Sequence, residues 1–200
     1  LIHCIHRTDL SYRVRGTALI SLAKQESFCD EEVIYQYCED KGWRFYLREF
    51  AFQALSYVKS ERALEILKEN IHSSEQSFRI RSFCCSSLVT CAKAHSKKEE
   101  AIAEKRLIEA LKDPEHSVRI AAIQSLGRLG RATSCADLES VRPRISSQYW
   151  PDIDKALKNC RNSAPKSETS ALKKRISELE DKQRSLLQQF DDLKAQIKQQ

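Results

Sequence analysis

The sequence predicts an all-α fold, a right-handed α-solenoid of helix pairs followed by a C-terminal coiled-coil helix, and three observations carry that prediction. First, a nine-residue pattern recurs four times without a gap: Val14-Arg15-x-x-Ala18-x-x-Ser21-Leu22, Leu47-Arg48-x-x-Ala51-x-x-Ala54-Leu55, Ile80-Arg81-x-x-Cys84-x-x-Ser87-Leu88 and Val118-Arg119-x-x-Ala122-x-x-Ser125-Leu126. The first positions fall at 14, 47, 80 and 118, steps of 33, 33 and 38 residues, the range in which one helix pair stacks on the next. Second, 4 Gly and 4 Pro accompany 41% hydrophobic and 31% charged residues, a balance that suits a helix-rich chain and leaves few turns for strands. Third, from Leu172 onward apolar residues alternate steps of four and three, a heptad seam rather than a globular helix face.

Within each repeat the pattern places an aliphatic residue, a small residue four on and a Leu four beyond that on one helical face, and the small residue admits a neighbouring helix. Each repeat is therefore expected to hold a first helix, a turn, and a second helix that begins near the aliphatic-Arg pair. Aligned with Leu107 to Leu111, Leu1 to Ile5 falls at the end of a first helix, so the chain is expected to begin inside a repeat. The second and third copies predict first helices over Glu31 to Glu39 and Ser60 to Ile71, and second helices over Arg44 to Val58 and Phe78 to Ala94. In the fourth, a first helix over Glu99 to Lys112 stops at Asp113-Pro114, because the residue before Pro is pushed out of the α region. The following helix runs from Ser117, read as its N-cap, to Leu129, with Gly130 as its stop.

A degraded fifth unit follows, with helices over Ala136 to Val141 and Asp152 to Cys160. Asp152-Ile153 replaces the aliphatic-Arg pair, as a terminal repeat permits. The solenoid is thus assigned to 1–160, a linker rich in Ser, Asn and Pro to 161–168, and a coiled-coil helix to 169–200. Its seam consists of Leu172, Ile176, Leu179, Gln183, Leu186, Phe190, Leu193 and Ile197, with Leu at every d position and Gln183 as the one polar a residue. This predicts parallel pairing with a second copy.

Charge and motif content exclude several function classes. A net charge of +6, from 34 basic and 28 acidic residues interspersed along the chain, does not imply nucleic-acid binding. No stretch approaches the roughly 18 uninterrupted apolar residues of a membrane span, and no signal peptide is evident at the N-terminus. Eight cysteines without a CxxC pair read as reduced, buried thiols in a cytoplasmic protein. His3 and His6 share a face but lack a third ligand, so neither a metal nor another cofactor is expected. No catalytic motif appears: there is no G-x-S-x-G elbow, no phosphate loop and no His-Glu-x-x-His.

The candidate functional residues form a ladder: Asp9, Glu75 and Asp113 each lie six residues before Arg15, Arg81 and Arg119. A carboxylate in the turn is expected to meet the guanidinium at the start of the second helix of the same repeat. Arg48 has Gly42 in the acidic position and is expected to be the unpaired member. Trp43, Phe45, Tyr46, Phe50 and Phe52 form the densest aromatic cluster, read first as core and second as a partner anchor.

The run Leu111-Lys-Asp113-Pro114-Glu-His-Ser-Val118-Arg119-Ile-Ala-Ala122-Ile-Gln-Ser125-Leu126-Gly127 resembles the HEAT-repeat family, particularly its phycobilisome-lyase-like branch. That resemblance implies a superhelical scaffold for protein contacts, without chemistry of its own. A narrower likeness joins Asp9-Leu-Ser11-Tyr12-Arg-Val14-Arg15-Gly-Thr-Ala18-Leu19-Ile-Ser21-Leu22 to the opening of the C-terminal HEAT region in some aminopeptidase N-like zinc metallopeptidases. In that family the zinc-binding HExxH helix lies in a separate domain toward the N-terminus. Nothing here matches it, so no catalytic residue is carried over, and the likeness implies an accessory region. The expectation is a non-catalytic scaffold with a protein partner, the alternative being a free-standing adaptor that oligomerises through its tail.

Overall fold

The computed structural model describes residues 1–25, 29–39, 46–162, 175–177, 179–180 and 182–184. The chain divides into two compact units, 1–163 and 164–200. Among the described residues of the first unit there are ten α-helices, and no β-strand occurs among the described residues of either. They are α1 (Ile2–His6), α2 (Tyr12–Ala23), α3 (Glu31–Cys38), α4 (Tyr46–Ala54), α5 (Glu61–Asn70), α6 (Phe78–His95), α7 (Lys97–Ala110), α8 (His116–Leu129), α9 (Cys135–Val141) and α10 (Trp150–Asn162).

These helices form hairpins, α1 with α2, α3 with α4, α5 with α6, α7 with α8 and α9 with α10. The hairpins are joined through their second members: α2 packs on α4, α4 on α6, α6 on α8 and α8 on α10. The pattern explains why. The small positions Ala18, Ala51, Cys84 and Ala122 are buried, and Leu22, Leu55, Leu88 and Leu126 four residues on are buried with them. In the degraded fifth unit Ala156 and Cys160 hold the corresponding places, both buried. Gly127 brings α8 closest to α10, where an added Cβ would lie 2.7 Å from the Ala156 Cα.

Serine residues start four of the helices. Ser11, Ser60, Ser77 and Ser96 each accept a hydrogen bond at Oγ from the backbone N–H three residues on, at 3.3 Å, satisfying a donor the helix cannot. Ser96, in extended backbone, also separates α6 from α7, which are otherwise continuous in sequence. At the end of α8, Gly130 takes the left-handed conformation with φ 72° and donates its N–H to the Leu126 carbonyl at 2.9 Å.

Three expectations are corrected. Ser117 is not the cap of α8, which begins at His116 after Glu115 without a side-chain cap bond; the Asp113 carboxylate accepts from the Glu115 N–H at 2.8 Å in the preceding turn. Arg161 and Asn162, assigned to the linker, continue α10. Val14 is 48% exposed although Leu47, Ile80 and Val118 at the equivalent position are buried, because no described helix packs over that face of α2 as α2 packs on α4.

In the second unit, residues 175–177, 179–180 and 182–184 are helical. Of the predicted seam, Ile176, Leu179 and Gln183 are described and exposed. Leu172, Leu186, Phe190, Leu193 and Ile197 lie outside the described residues.

Candidate functional site

The arginine ladder is built into the framework, though in a different register from the one the spacing suggests. The guanidiniums of Arg15, Arg81 and Arg119 start on the first turn of a second helix and turn back to bind backbone carbonyls of their own hairpin. Arg15 Nε donates to Ile5 O at 2.7 Å, Arg81 Nη1 to Gln76 O at 2.7 Å, and Arg119 Nη1 to Asp113 O and Pro114 O, both at 2.7 Å. Helix C-termini and turns expose such acceptors, and a cation beside them is favoured.

The carboxylates go elsewhere. Asp9 pairs with Arg7 at the surface, not with Arg15, whose Nη2 reaches Tyr37 Oη at 3.4 Å. Glu75 is exposed and does not meet Arg81. Asp113 does bind an arginine of the ladder, but that of the preceding repeat: Arg81 Nε donates to its Oδ2 at 2.8 Å and Nη2 to its Oδ1 at 3.0 Å. The side chains of this fork are only 10% and 7% exposed, and the carboxylate raises the Arg81 pKa above its ordinary value. The expected pairing within each repeat is therefore not formed, and at Asp113 a link between the third and fourth repeats takes its place. Arg48 is half-buried beside the Cys38 and Cys84 thiols; its Nε has no hydrogen-bond partner among the described residues, and Gly42 lies outside them.

Small polar side chains also tie one second helix to the next. Ser87 Oγ donates to Phe52 O at 3.3 Å, Cys91 Sγ to Leu55 O and Val58 O at 3.2 Å, and Cys160 Sγ to Leu126 O at 3.6 Å. All eight cysteines are free. Burial pushes the Cys38, Cys85 and Cys91 thiols up to about 12 and Cys160 to about 11, values that leave no thiolate for nucleophilic chemistry at neutral pH. Among the described residues no group of three or more His, Cys, Asp or Glu side chains is placed to hold a metal ion.

A second buried carboxylate has a comparable role. Glu104 on α7 accepts from Thr133 Oγ1 and Ser134 Oγ at 2.5 Å and from Arg131 Nε at 2.6 Å, fixing the turn after α8. Burial alone raises its pKa, but the three donors outweigh it and the net shift is downward.

One surface open to a partner is carried by the second helices. Between α6, α8 and α10 lies a groove of about 450 Å³, lined by Ser86, Gln124, Arg128, Asp152, Lys155 and Asn159 over a floor of Gly127 and Ala156. Arg128 donates to Ser125 Oγ at 3.1 Å and to Ser86 O at 3.3 Å, and the helices around it lower its pKa by desolvation. No carboxylate pairs with it among the described residues, whereas Asp152 accepts from Gln124 Nε2 at 3.2 Å. Lys93 Nζ, bound to Arg128 O at 2.6 Å, adds a third cation beside Arg128 and Lys155. None of these residues belongs to the nine-residue pattern except through helical phase: Ser86 and Gln124 both lie six residues after the patterned aliphatic residue. Of the aromatic cluster, Phe52 is core, Phe50 lies over the bare backbone of Gly16, Tyr46 is exposed, and Trp43 and Phe45 are outside the described residues.

The segment from α7 through the Asp113-Pro114 turn to α8, which gives this groove Gln124, Gly127 and Arg128, has an independent match. Residues 105–132 match the HEAT repeat. HEAT repeats commonly mediate protein interactions, and a helical-repeat scaffold or interaction module is the function class that follows. The HEAT match is to the general repeat and separates neither the phycobilisome-lyase-like branch nor the aminopeptidase N-like likeness. No curated protein matches the chain. Among the described residues no helix is long and apolar enough to cross a membrane.

Proposed function

We propose that this chain is a non-catalytic, cytoplasmic HEAT-repeat scaffold that docks an acidic segment of a protein partner in the groove between α6, α8 and α10. The observation that carries it is Arg128, a partly desolvated cation without a carboxylate partner among the described residues, set with Lys155 in a groove to which the HEAT-matched α8 contributes, with Lys93 Nζ bound to the Arg128 carbonyl. Eight free thiols fit a reducing compartment. The tail over 169–200 pairs in parallel with a second copy, and the exposed Ile176 and Leu179 support that arrangement. The narrower idea of an accessory region of an aminopeptidase N-like protein rests on the likeness of residues 9–22 and on the coiled-coil tail expected after the repeats.

The test is cross-linking of the full chain to its cellular partners, compared with an Arg128→Glu, Lys155→Glu variant that keeps the wild-type melting temperature. Loss of the same cross-linked proteins supports the groove; an unchanged set overturns it. For the tail, deletion of residues 168–200 is expected to halve the mass seen by sedimentation, and an equal monomeric mass in both proteins would defeat the pairing.

A further inference from the structure

Two of the eight free cysteines stand in one hairpin. Cys135 is the first residue of α9, Cys160 lies in the last turn of α10, and the two thiols are in hydrogen-bond contact where these helices pack together. Both sides of the contact are fixed by their surroundings. Glu104 accepts from Thr133 Oγ1 and Ser134 Oγ, the two residues before Cys135, and Ala156, one turn before Cys160, is seated against Gly127 of α8. Cys160 Sγ makes one further contact, the 3.6 Å bond to Leu126 O.

The two thiols differ in their access to solvent. Cys160 is fully buried, whereas Cys135 is half-buried and reaches the surface. Cys38, Cys84, Cys85 and Cys91 are buried, and Cys84 and Cys85, although adjacent in sequence, do not face each other on α6. A sulfur that meets solvent with a second sulfur waiting behind it is the arrangement that oxidation takes to a disulfide before higher oxides form.

We propose that Cys135 and Cys160 form a reversible oxidation site, in which hydrogen peroxide oxidises Cys135 and Cys160 resolves the product as a disulfide that staples α9 to α10. In the first step the Cys135 sulfur attacks one peroxide oxygen, the O–O bond breaks, and the thiol proton leaves with the displaced oxygen as water. In the second the Cys160 sulfur attacks the sulfenic sulfur of Cys135, the S–O bond breaks, and the Cys160 proton leaves with the hydroxyl as a second water. The two sulfurs together lose two electrons and the peroxide gains them. Two molecules of a small thiol such as glutathione reverse the change, ending as their own disulfide. Burial holds the Cys160 thiol up to about 11, which suits it poorly to the first step; in the second, contact with Cys135 gives it a high effective concentration.

The bond would add to a hairpin that is lightly tied at its surface. Arg142 pairs there with Asp154 and Arg161 with Glu139, exposed ion pairs that contribute little. A covalent link across the same two helices restricts the unfolded chain, and thiols already in contact reach bonding distance without moving the helices.

The test treats the reduced full chain with a few equivalents of hydrogen peroxide, alkylates it in denaturant and maps it by tryptic mass spectrometry. An intact-mass loss of about 2 Da is expected, with one linked species joining residues 132–144 to 159–161, reversed by glutathione. The oxidised protein should melt about 5 °C above the reduced one. Cys135→Ser should abolish both changes, and because Cys135 is half-buried this variant should keep the fold. In Cys160→Ser, Cys135 should persist as a sulfenic acid that dimedone captures. Four results would each overturn the proposal: a Cys135 sulfinic acid with Cys160 still open to alkylation, disulfides between other cysteines, disulfides between two chains, or an unmoved melting temperature.

Discussion

Replacing Asp113 by alanine removes the carboxylate that links two repeats, and its effect can be worked out bond by bond. The side chain accepts two hydrogen bonds from Arg81, at 2.8 and 3.0 Å, and one from the Glu115 N–H at 2.8 Å. Breaking a buried ion pair by deleting one partner costs about 3–5 kcal/mol, because the other charge stays buried without compensation. Loss of the bond to the Glu115 N–H, just before α8, adds about 1 kcal/mol. Arg81 keeps its bond to Gln76 O, which limits the damage and places the expected loss near 4 kcal/mol. The assay is urea unfolding at neutral pH followed by far-ultraviolet circular dichroism, for wild type, Asp113→Ala, Arg81→Met and the double variant. The double variant should be more stable than the sum of the singles predicts, by about 2 kcal/mol, since methionine fills the site without a stranded charge. A loss below about 1 kcal/mol for Asp113→Ala, or single effects that simply add, would refute the cross-repeat link.

Other perturbations probe the rest of the framework. Leu126→Ala, at a fully buried position of α8, should cost about 2–5 kcal/mol in the same assay, and a loss under about 0.5 kcal/mol would place this ladder residue outside the core. Gly127→Ala gains about 1 kcal/mol of helix propensity but forces α8 and α10 apart at the 2.7 Å contact, so it should lower stability by about 1–2 kcal/mol net, and a more stable variant would refute that close approach. Glu104 has a folded pKa below its ordinary value of 4.5, so its contribution is present above that pH and is lost as pH falls through the lower folded value. Glu104→Gln should therefore narrow the difference in urea midpoint between pH 7 and pH 3, and an unchanged difference would mean the carboxylate does not supply it.

The architecture was readable because a solenoid writes its period into the chain. Ala18, Ala51, Cys84 and Ala122 occupy equivalent places, and nothing but close helix contact demands a small residue at each. The pairing of the ladder was not readable, for a reason intrinsic to repeats: a carboxylate at one fixed phase stands at a fixed offset from the arginine of its own repeat and from that of the one before. Spacing cannot choose between Arg119 and Arg81 as the partner of Asp113; only the direction in which each guanidinium turns decides it. Periodicity likewise marks the face of a helix without saying what covers it, so Val14 shares its pattern with Val118 yet lies in water. The groove residues Arg128 and Lys155 sit outside the nine-residue pattern, so periodicity carries no sign of them.

The cross-repeat fork has a consequence for the order in which the protein matures. Arg81 enters α6 some thirty residues before its counter-charge exists, and a chain emerging from the ribosome must hold that cation hydrated until Asp113 is made. The third hairpin is consequently unfinished when its own sequence is complete, and locks only as the fourth closes upon it. At this junction stability is handed backward, from the fourth hairpin to the third already in place.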